Sequence, residues 1–260
     1  LSDFRRKVRI FEKTFDEEIT MSKKFISFIT AGDPSLAKTK EFIEVLAEKS
    51  DIIEIGLPFS DPLAEGEVIE AANMRALKNG ATTAKMFDML KTVDVAAKLV
   101  ILTYINPVFV YGADKFFAQC KDSNIWGVII PDLPFEERAE VAAEAEKYGI
   151  HLITLISPAS AERVQMLAKD ATGFIYLVSS MGTTGTRDKL TIDLSEIIAQ
   201  IRDVTETPVC VGFGISTPEQ ANAVREISDG VIVGSAFVKI IEEHGDNAAA
   251  HLRAFMGSMV

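Results

Sequence analysis

Apolar residues gather in eight short runs: 25–30, 52–57, 99–104, 127–130, 152–156, 174–178, 209–213 and 230–234. Most are continuous rather than alternating, the pattern of strands covered on both faces. Between them the period becomes helical. Residues 35–49 repeat apolar side chains at Leu36, Phe42, Ile43, Val45 and Leu46, one face of an amphipathic helix. Residues 82–98 and 136–149 read the same way, the second closed by Gly149 as a C-cap. Thr217 followed by Pro218 marks the N-cap and first residue of another helix.

Strand and helix thus alternate eight times, with an extra helix after the second strand. Alternation of this kind implies a parallel sheet. Eight units in about 250 residues predict a closed (β/α)8 TIM barrel, occupying 1–260 as one domain. An open doubly wound sheet is the competing arrangement, but the first strand-to-helix turn, "TAGDPS", lacks the GxGxxG fingerprint. The charged amphipathic stretch at 1–18 predicts a short N-terminal covering helix.

The 260 residues suffice for a large core without staples. Net charge is −11, from 27 basic and 38 acidic side chains. This disfavours nucleic acid and anionic membrane as partners. It leaves room for a small phosphorylated substrate held by backbone N–H groups. Cys120 and Cys210 are far apart and sit among apolar residues. They read as buried free thiols of a reducing, cytoplasmic compartment. No signal-like or membrane-length apolar run occurs. His151, His244 and His251 lie at element margins, so neither histidine catalysis nor a metal site is expected.

In a barrel of this type the reacting groups occupy the C-terminal ends of strands and the loops that follow. Glu54 lies between two isoleucines near the end of the second strand. Turned inward, it would be buried with a raised pKa, suited to proton transfer. A structural carboxylate, paired with a buried partner or facing out among the helices, is equally compatible with its position. The loop "PFSDPLAEGE" carries Asp61, Pro62 and Glu65. Glu65 could approach a substrate from a second side, whereas Asp61 alone reads most simply as a solvated loop residue. The stretch "SSMGTTGTR" follows the sixth strand, and "GFG" and "VGSAF" end the seventh and eighth. Glycines after the last two strands, with a following helix N-terminus, suit a phosphate. Packing glycines at the rim would look similar. Tyr104 and Tyr176 are strand aromatics whose default place is the core, with the hydroxyl reaching a partner.

The segments "FISFITAGDPS", "IEIGLPFSDPLAEG", "ANMRAL", "TYINPVFVYG", "PDLP", "FIYLVSSMGTTGTR", "VGFGIS" and "VGSAFVKII" together resemble the tryptophan synthase alpha subunit family. They occur in that family's order and span nearly the whole chain. The resemblance implies a (β/α)8 barrel that cleaves indole-3-glycerol phosphate to indole and glyceraldehyde 3-phosphate. It implies no cofactor in this chain. The partner would be a pyridoxal-phosphate-dependent beta subunit in an alpha-beta-beta-alpha assembly.

By the same resemblance Glu54 is the general acid/base, Glu65 faces the indole N–H as an ionised carboxylate, and Tyr176 lies beside Glu54. Gly185, Gly214, Gly234 and Ser235 match the phosphate site. Phe28, Leu102, Tyr104, Ile129 and Phe213 match the indole pocket. Thr184 matches a lid residue, and Asp61, Pro62 and Asn106 lie where the family meets its partner.

Two departures stand out. Position 65 is glutamate where the family usually has aspartate, and "GEVIE" adds Glu67 and Glu70. Extra negative charge beside Glu65 should oppose its ionisation. The expectation is weak activity of the isolated chain and dependence on the partner. The alternatives are a free-standing indole-releasing lyase and a barrel that mainly binds and activates a beta subunit. Other phosphate-binding barrels, such as phosphoribosyl anthranilate isomerase or indole-glycerol-phosphate synthase, are more remote.

Overall fold

Every apolar run marked above becomes a strand. They are β1 (Lys24–Thr30), β2 (Ile52–Gly56), β3 (Lys98–Leu102), β4 (Ile125–Ile129), β5 (His151–Leu152), β6 (Thr154–Ile156), β7 (Ile175–Val178), β8 (Val209–Gly212) and β9 (Gly230–Val233). The computed structural model describes residues 23–179, 187–212 and 214–260, without side chains at 161–162 and 187–193. The expected helix at 1–18, Thr184, Gly185 and Phe213 lie outside the described residues.

All neighbouring strands pair in parallel, in the order β5-β4-β3-β2-β1-β9-β8-β7-β6. The two ends of that order are consecutive in the chain. β5 pairs with β4, β6 pairs with β7, and only Ile153 separates them. They are two halves of one stave, so the nine strands make the expected eight-staved barrel.

The interruption at Ile153 was not foreseen. Its N–H donates to the Val128 carbonyl at 2.9 Å, while its side chain joins the barrel interior. There it lies where any side chain at Gly127 or Gly173 would have to go, 3.2 and 2.9 Å from their built Cβ positions. Arg138 donates to the carbonyl of Leu152 and, at 2.8 Å, to the hydroxyl of Thr154. A guanidinium thus supplies a donor where the ladder changes partner.

Strand parity sorts the core into two layers. Ile26, Ile52, Val100, Ile129, Ile153, Phe174, Tyr176, Cys210 and Ile232 fill the barrel interior. Their sequence neighbours, such as Ile53, Ile55, Leu99, Ile175 and Val211, face the surrounding helices. Glu54 lies between Ile53 and Ile55, so the alternation of the strand turns it inward.

Some helices begin where a side chain satisfies the first free N–H groups. In α1 (Leu36–Leu46) Ser35 accepts from the Lys38 N–H at 3.2 Å, and Phe42, Ile43, Val45 and Leu46 are buried. Two helices follow β2, as expected: α2 (Glu67–Lys78) and α3 (Thr83–Leu90). The second is shorter than the apolar pattern over 82–98 foretold. β3 is followed by α4 (Ile105–Tyr111) and α5 (Ala113–Asp122). Then come α6 (Ala139–Tyr148), α7 (Val164–Ala168) and α8 (Arg187–Arg202). α6 closes on Gly149 in the left-handed conformation. α9 (Pro218–Ile227) opens with a reciprocal cap between Thr217 and Gln220. β9 is followed by α10 (Ser235–His244) and α11 (Ala248–Met259). The doubling after β3 and β9 was not foreseen, because Gly112 and the Gly245–Asn247 turn are brief breaks in continuous helical patterns. Cys120 and Cys210 are buried free thiols.

Candidate active site

Glu54 is 1% exposed, and neither of its carboxyl oxygens has a hydrogen-bond partner among the described residues. A buried carboxyl without donors is best tolerated in its neutral form. Burial, followed by the charge of Glu65, pushes its pKa up to about 8. This is the inward, unpaired carboxyl expected of a proton-transfer group. The structural alternative required a buried partner, and the described residues supply none.

The ladder places Glu54 relative to the rest. β1 lies between β2 and β9, with Phe28 opposite Glu54 and Ser27 opposite Val233. Phe28 therefore sits between Glu54 and Gly234. A Cβ built on Gly56 would meet the far end of the Phe28 ring at 2.7 Å, and one built on Gly234 would meet its near end at 3.5 Å. Phe28 also belongs to a small buried cluster with Ala72 of α2 and Val238 of α10, against which Val68, Ile69 and Leu102 pack. Leu102 contacts this cluster and the barrel interior alike, and Ile129 lies in the interior.

Gly234 and Ser235 form the N-terminus of α10, with no side-chain cap, and Ser235 is exposed. The N–H groups at the start of this ten-residue helix are oriented donors for an anion. Gly214 follows β8, is exposed and has φ +74°, a conformation that side chains beyond glycine adopt at a cost.

Tyr176 projects inward from β7 and is 7% exposed. Burial, then the charges of Glu54, Cys210 and Glu65, hold its phenol well above the ordinary value. It therefore stays a hydroxyl. Its ring lies over Gly212, where a Cβ would come within 2.5 Å of the phenol oxygen.

The loop from β2 to α2 is held by Tyr104, the residue before α4. Its hydroxyl accepts from the N–H groups of Leu63 and Ala64 at 2.8 and 2.9 Å and donates to Glu65 Oε2. The Tyr104 ring lies 5.3 Å from that of Phe59 in the same loop. Sequence reasoning placed Tyr104 in the apolar pocket and missed this grip, which nothing in its local pattern encodes. Burial pushes the Glu65 carboxyl up. The Tyr104 hydroxyl and the loop N–H groups pull it down, and Glu70 adds a smaller upward push. The net direction is upward, opposite to what holding this carboxylate ionised requires. Glu67, expected to act alongside Glu70, is not among the causes.

Asp61 is exposed, its carboxylate accepting from Ser60; Pro62 is half-buried and Asn106 is exposed. The same loop and α4 also carry exposed apolar residues. Leu63 and Val110 are each 80% exposed, and Phe109 is 48% exposed. The "PDLP" motif also gains a function: Asp132 accepts from the Ile105 N–H at 2.9 Å and so caps α4.

Among the described residues no group of three or more His, Cys, Asp or Glu side chains could hold a metal ion. His244 and His251 stack on each other, and His151 packs against Trp126. A cavity of about 380 Å³ bounded by Lys24, Asp51, Lys98, Trp126, Phe174 and Cys210 lies at the opposite end of the barrel from Glu54. Barrels of this type place their reacting groups at the other mouth, where the strands end.

The sequence profile of the tryptophan synthase alpha chain family matches residues 15–259. The tryptophan synthase alpha chain of Lacticaseibacillus casei is 46% identical over 236 residues, covering 90% of this chain and 89% of that protein. The alpha chain of Methanosarcina barkeri is 45% identical over 241 residues, covering 92% and 91%. Among solved structures, the alpha subunit from Campylobacter jejuni superposes with TM-score 0.86 at 34% identity, covering 94% of this chain and 98% of that one. A chain from the tryptophan synthase α2β2 complex of Pyrococcus furiosus, studied for the mutual activation of its subunits, superposes with TM-score 0.84 at 35% identity, covering 92% and 98%.

Proposed function

The chain belongs to the tryptophan synthase alpha chain family, and from that premise we propose that Glu54 is the proton-transfer residue of its reaction. The alpha chain is the lyase subunit. It cleaves indole-3-glycerol phosphate to indole and glyceraldehyde 3-phosphate by a retro-aldol step, and its partner is the beta subunit.

At neutral pH a carboxyl with a pKa of about 8 is mostly protonated. Glu54 therefore starts as the acid and delivers its proton to C3 of the indole ring. The resulting carboxylate takes the proton of the C3′ hydroxyl as the C3–C3′ bond breaks. The oxygen's electron pair closes the aldehyde, and the bonding pair returns to the ring and restores indole. Glu54 ends protonated, as it began, so the step consumes no net proton.

Protonation at C3 leaves positive charge on the ring nitrogen. Glu65, held by Tyr104, is the counter-charge for it. Tyr176, kept as a hydroxyl, borders Glu54. Phe28, Leu102, Tyr104 and Ile129, with Phe213 outside the described residues, line the slot for the indole ring. Gly214, Gly234 and Ser235, with Gly185 outside the described residues, receive the phosphate at the start of α10. Thr184 is assigned to the lid. Asp61, Pro62 and Asn106 face the beta subunit, and exposed Leu63, Phe109 and Val110 add apolar area to that surface. Pyridoxal phosphate belongs to the beta subunit, and the pair assembles as alpha-beta-beta-alpha in the cytoplasm.

The observation carrying this reading is the unpaired Glu54 carboxyl inside the barrel, with Phe28 opposite it on β1 and packed beside Gly234. The test is incubation of the pure chain with indole-3-glycerol phosphate, with and without a beta subunit, following indole. Wild type releases indole and Glu54→Gln does not, while both bind the beta subunit. Cleavage retained in Glu54→Gln would remove the assignment.

A further inference from the structure

Among the described residues, three staves are each followed by two helices, and the first helices of two such pairs, α2 and α10, meet at the rim. α2 is entered directly from the loop that carries Glu65, and α10 begins at Gly234 and Ser235. They meet over the end of β1 through Ala72, Val238 and Phe28.

Arg75, in the last turn of α2, fastens this joint. Its Nε and Nη2 donate to Oδ1 and Oδ2 of Asp33 at 3.0 and 2.9 Å, and its Nη1 donates to Oε1 of Glu242 at 2.7 Å. Asp33 lies in the loop after β1 and is 2% exposed. Glu242 lies on α10. The same loop is tied to α2 a second time, by Asn79 Nδ2 donating to the Pro34 carbonyl at 2.8 Å. The backbone at Gly32 rests on Ala76 and Ala81 so closely that a Cβ there would fall 2.6 Å from that of Ala81. One guanidinium thus joins three pieces: the strand carrying Phe28, the helix following Glu65, and the helix whose start receives the anion.

We propose that Arg75 is a positioning residue that fixes the separation between the Glu65 loop and the N-terminus of α10, and thereby sets the length of substrate the site accepts. This rests on the roles proposed above for Glu65, Gly234 and Ser235. Only a planar fork can hold both Asp33 oxygens while a third N–H reaches Glu242. The Arg75 side chain is one-third exposed but Asp33 is buried, so removing Arg75 also costs stability by leaving a buried carboxylate unpaired. Its consequence for the site is geometric. An indole ring bound at one end and a phosphate at the other measure that geometry directly.

The probes are 3-indolyl alkyl phosphates with two, three and four methylenes between ring and phosphate, titrated by calorimetry into the alpha–beta complex. The variants are wild type, Arg75→Lys, Arg75→Gln and Glu242→Gln. Wild type should prefer one length by at least about tenfold, since misplacement of about an ångström is costly at such a site. Arg75→Gln and Arg75→Lys should reduce that preference to below about threefold by freeing the two ends from each other. Glu242→Gln, which keeps the Asp33 pair, should fall between. A merely structural role would lower the melting temperature and weaken all lengths equally, leaving the preference intact, and that result overturns the proposal. If wild type binds none of the three phosphates, the site reading fails and the clamp falls with it. If wild type binds them without a preferred length, the clamp alone is refuted.

Discussion

Replacing Glu54 by Gln should abolish cleavage and at the same time make the protein more stable, by an amount that depends on pH. Glutamine keeps the shape of the side chain and removes its ionisation. In the folded chain the Glu54 pKa stands at about 8 against an ordinary value of 4.5. Below pH 4.5 the group is protonated whether the chain is folded or not, and it contributes nothing. Between 4.5 and about 8 the unfolded chain ionises while the folded one holds its proton, so stability falls by about 1.4 kcal/mol per pH unit. Above 8 the loss is complete, at about 5 kcal/mol.

Glutamine escapes this loss. The variant should gain under about 1 kcal/mol at pH 5, about 3 at pH 7 and close to 5 at pH 9. At neutral pH that is about 5 °C in melting temperature for a chain of this length. Urea unfolding followed by circular dichroism at the three pH values reads the gain, and indole release reads the loss of activity. A stability difference that is flat with pH, or a variant weaker than wild type at pH 9, would refute the argument that Glu54 is buried without a donor.

Tyr104→Phe removes the hydroxyl that grips Glu65 and leaves the Leu63 and Ala64 N–H groups without their acceptor. Indole release by the isolated variant should fall by about 10- to 100-fold in kcat/KM, with a smaller deficit once the beta subunit is bound. Gly212→Ala places a methyl group 2.5 Å from the Tyr176 phenol oxygen. Thermal unfolding should register a destabilisation of about 1–3 kcal/mol, with turnover reduced in the folded fraction. Val110→Asp, on an exposed apolar site, should leave the melting temperature within about 1 °C while weakening beta-subunit binding by at least about tenfold in calorimetry. Wild type itself should turn over slowly alone and faster in the complex; equal, fast turnover in both would remove the inference drawn from Glu65.

Sequence pattern left open which way Glu54 turns: it lies on the face opposite Ile53 and Ile55, and only the packed fold shows those isoleucines against the helices. The strands themselves were legible, because an apolar run is a local signal. The caps at Gly149 and Thr217 were legible for the same reason, being encoded within a turn of the helix they bound. What stayed hidden depends on distant partners. Tyr104 finds Glu65 across 39 positions, and Arg75 finds Glu242 across 167. The break at Ile153 follows from glycines on neighbouring staves and from Arg138, and no pattern within residues 152–156 could announce it. Phe109 and Val110 were not singled out, because nothing in the local sequence says that this face of α4 turns outward.

The divided fifth stave has a mechanical consequence. Wall segments of two and three residues flank Ile153, whereas β1 runs for seven. Opening should begin along this seam, where the fewest ladder bonds have to part together, and slow-exchanging amides should cluster around β1 on the far wall. The cylinder therefore breathes like a sleeve with one basted edge, and hydrogen–deuterium exchange would trace where the stitching runs.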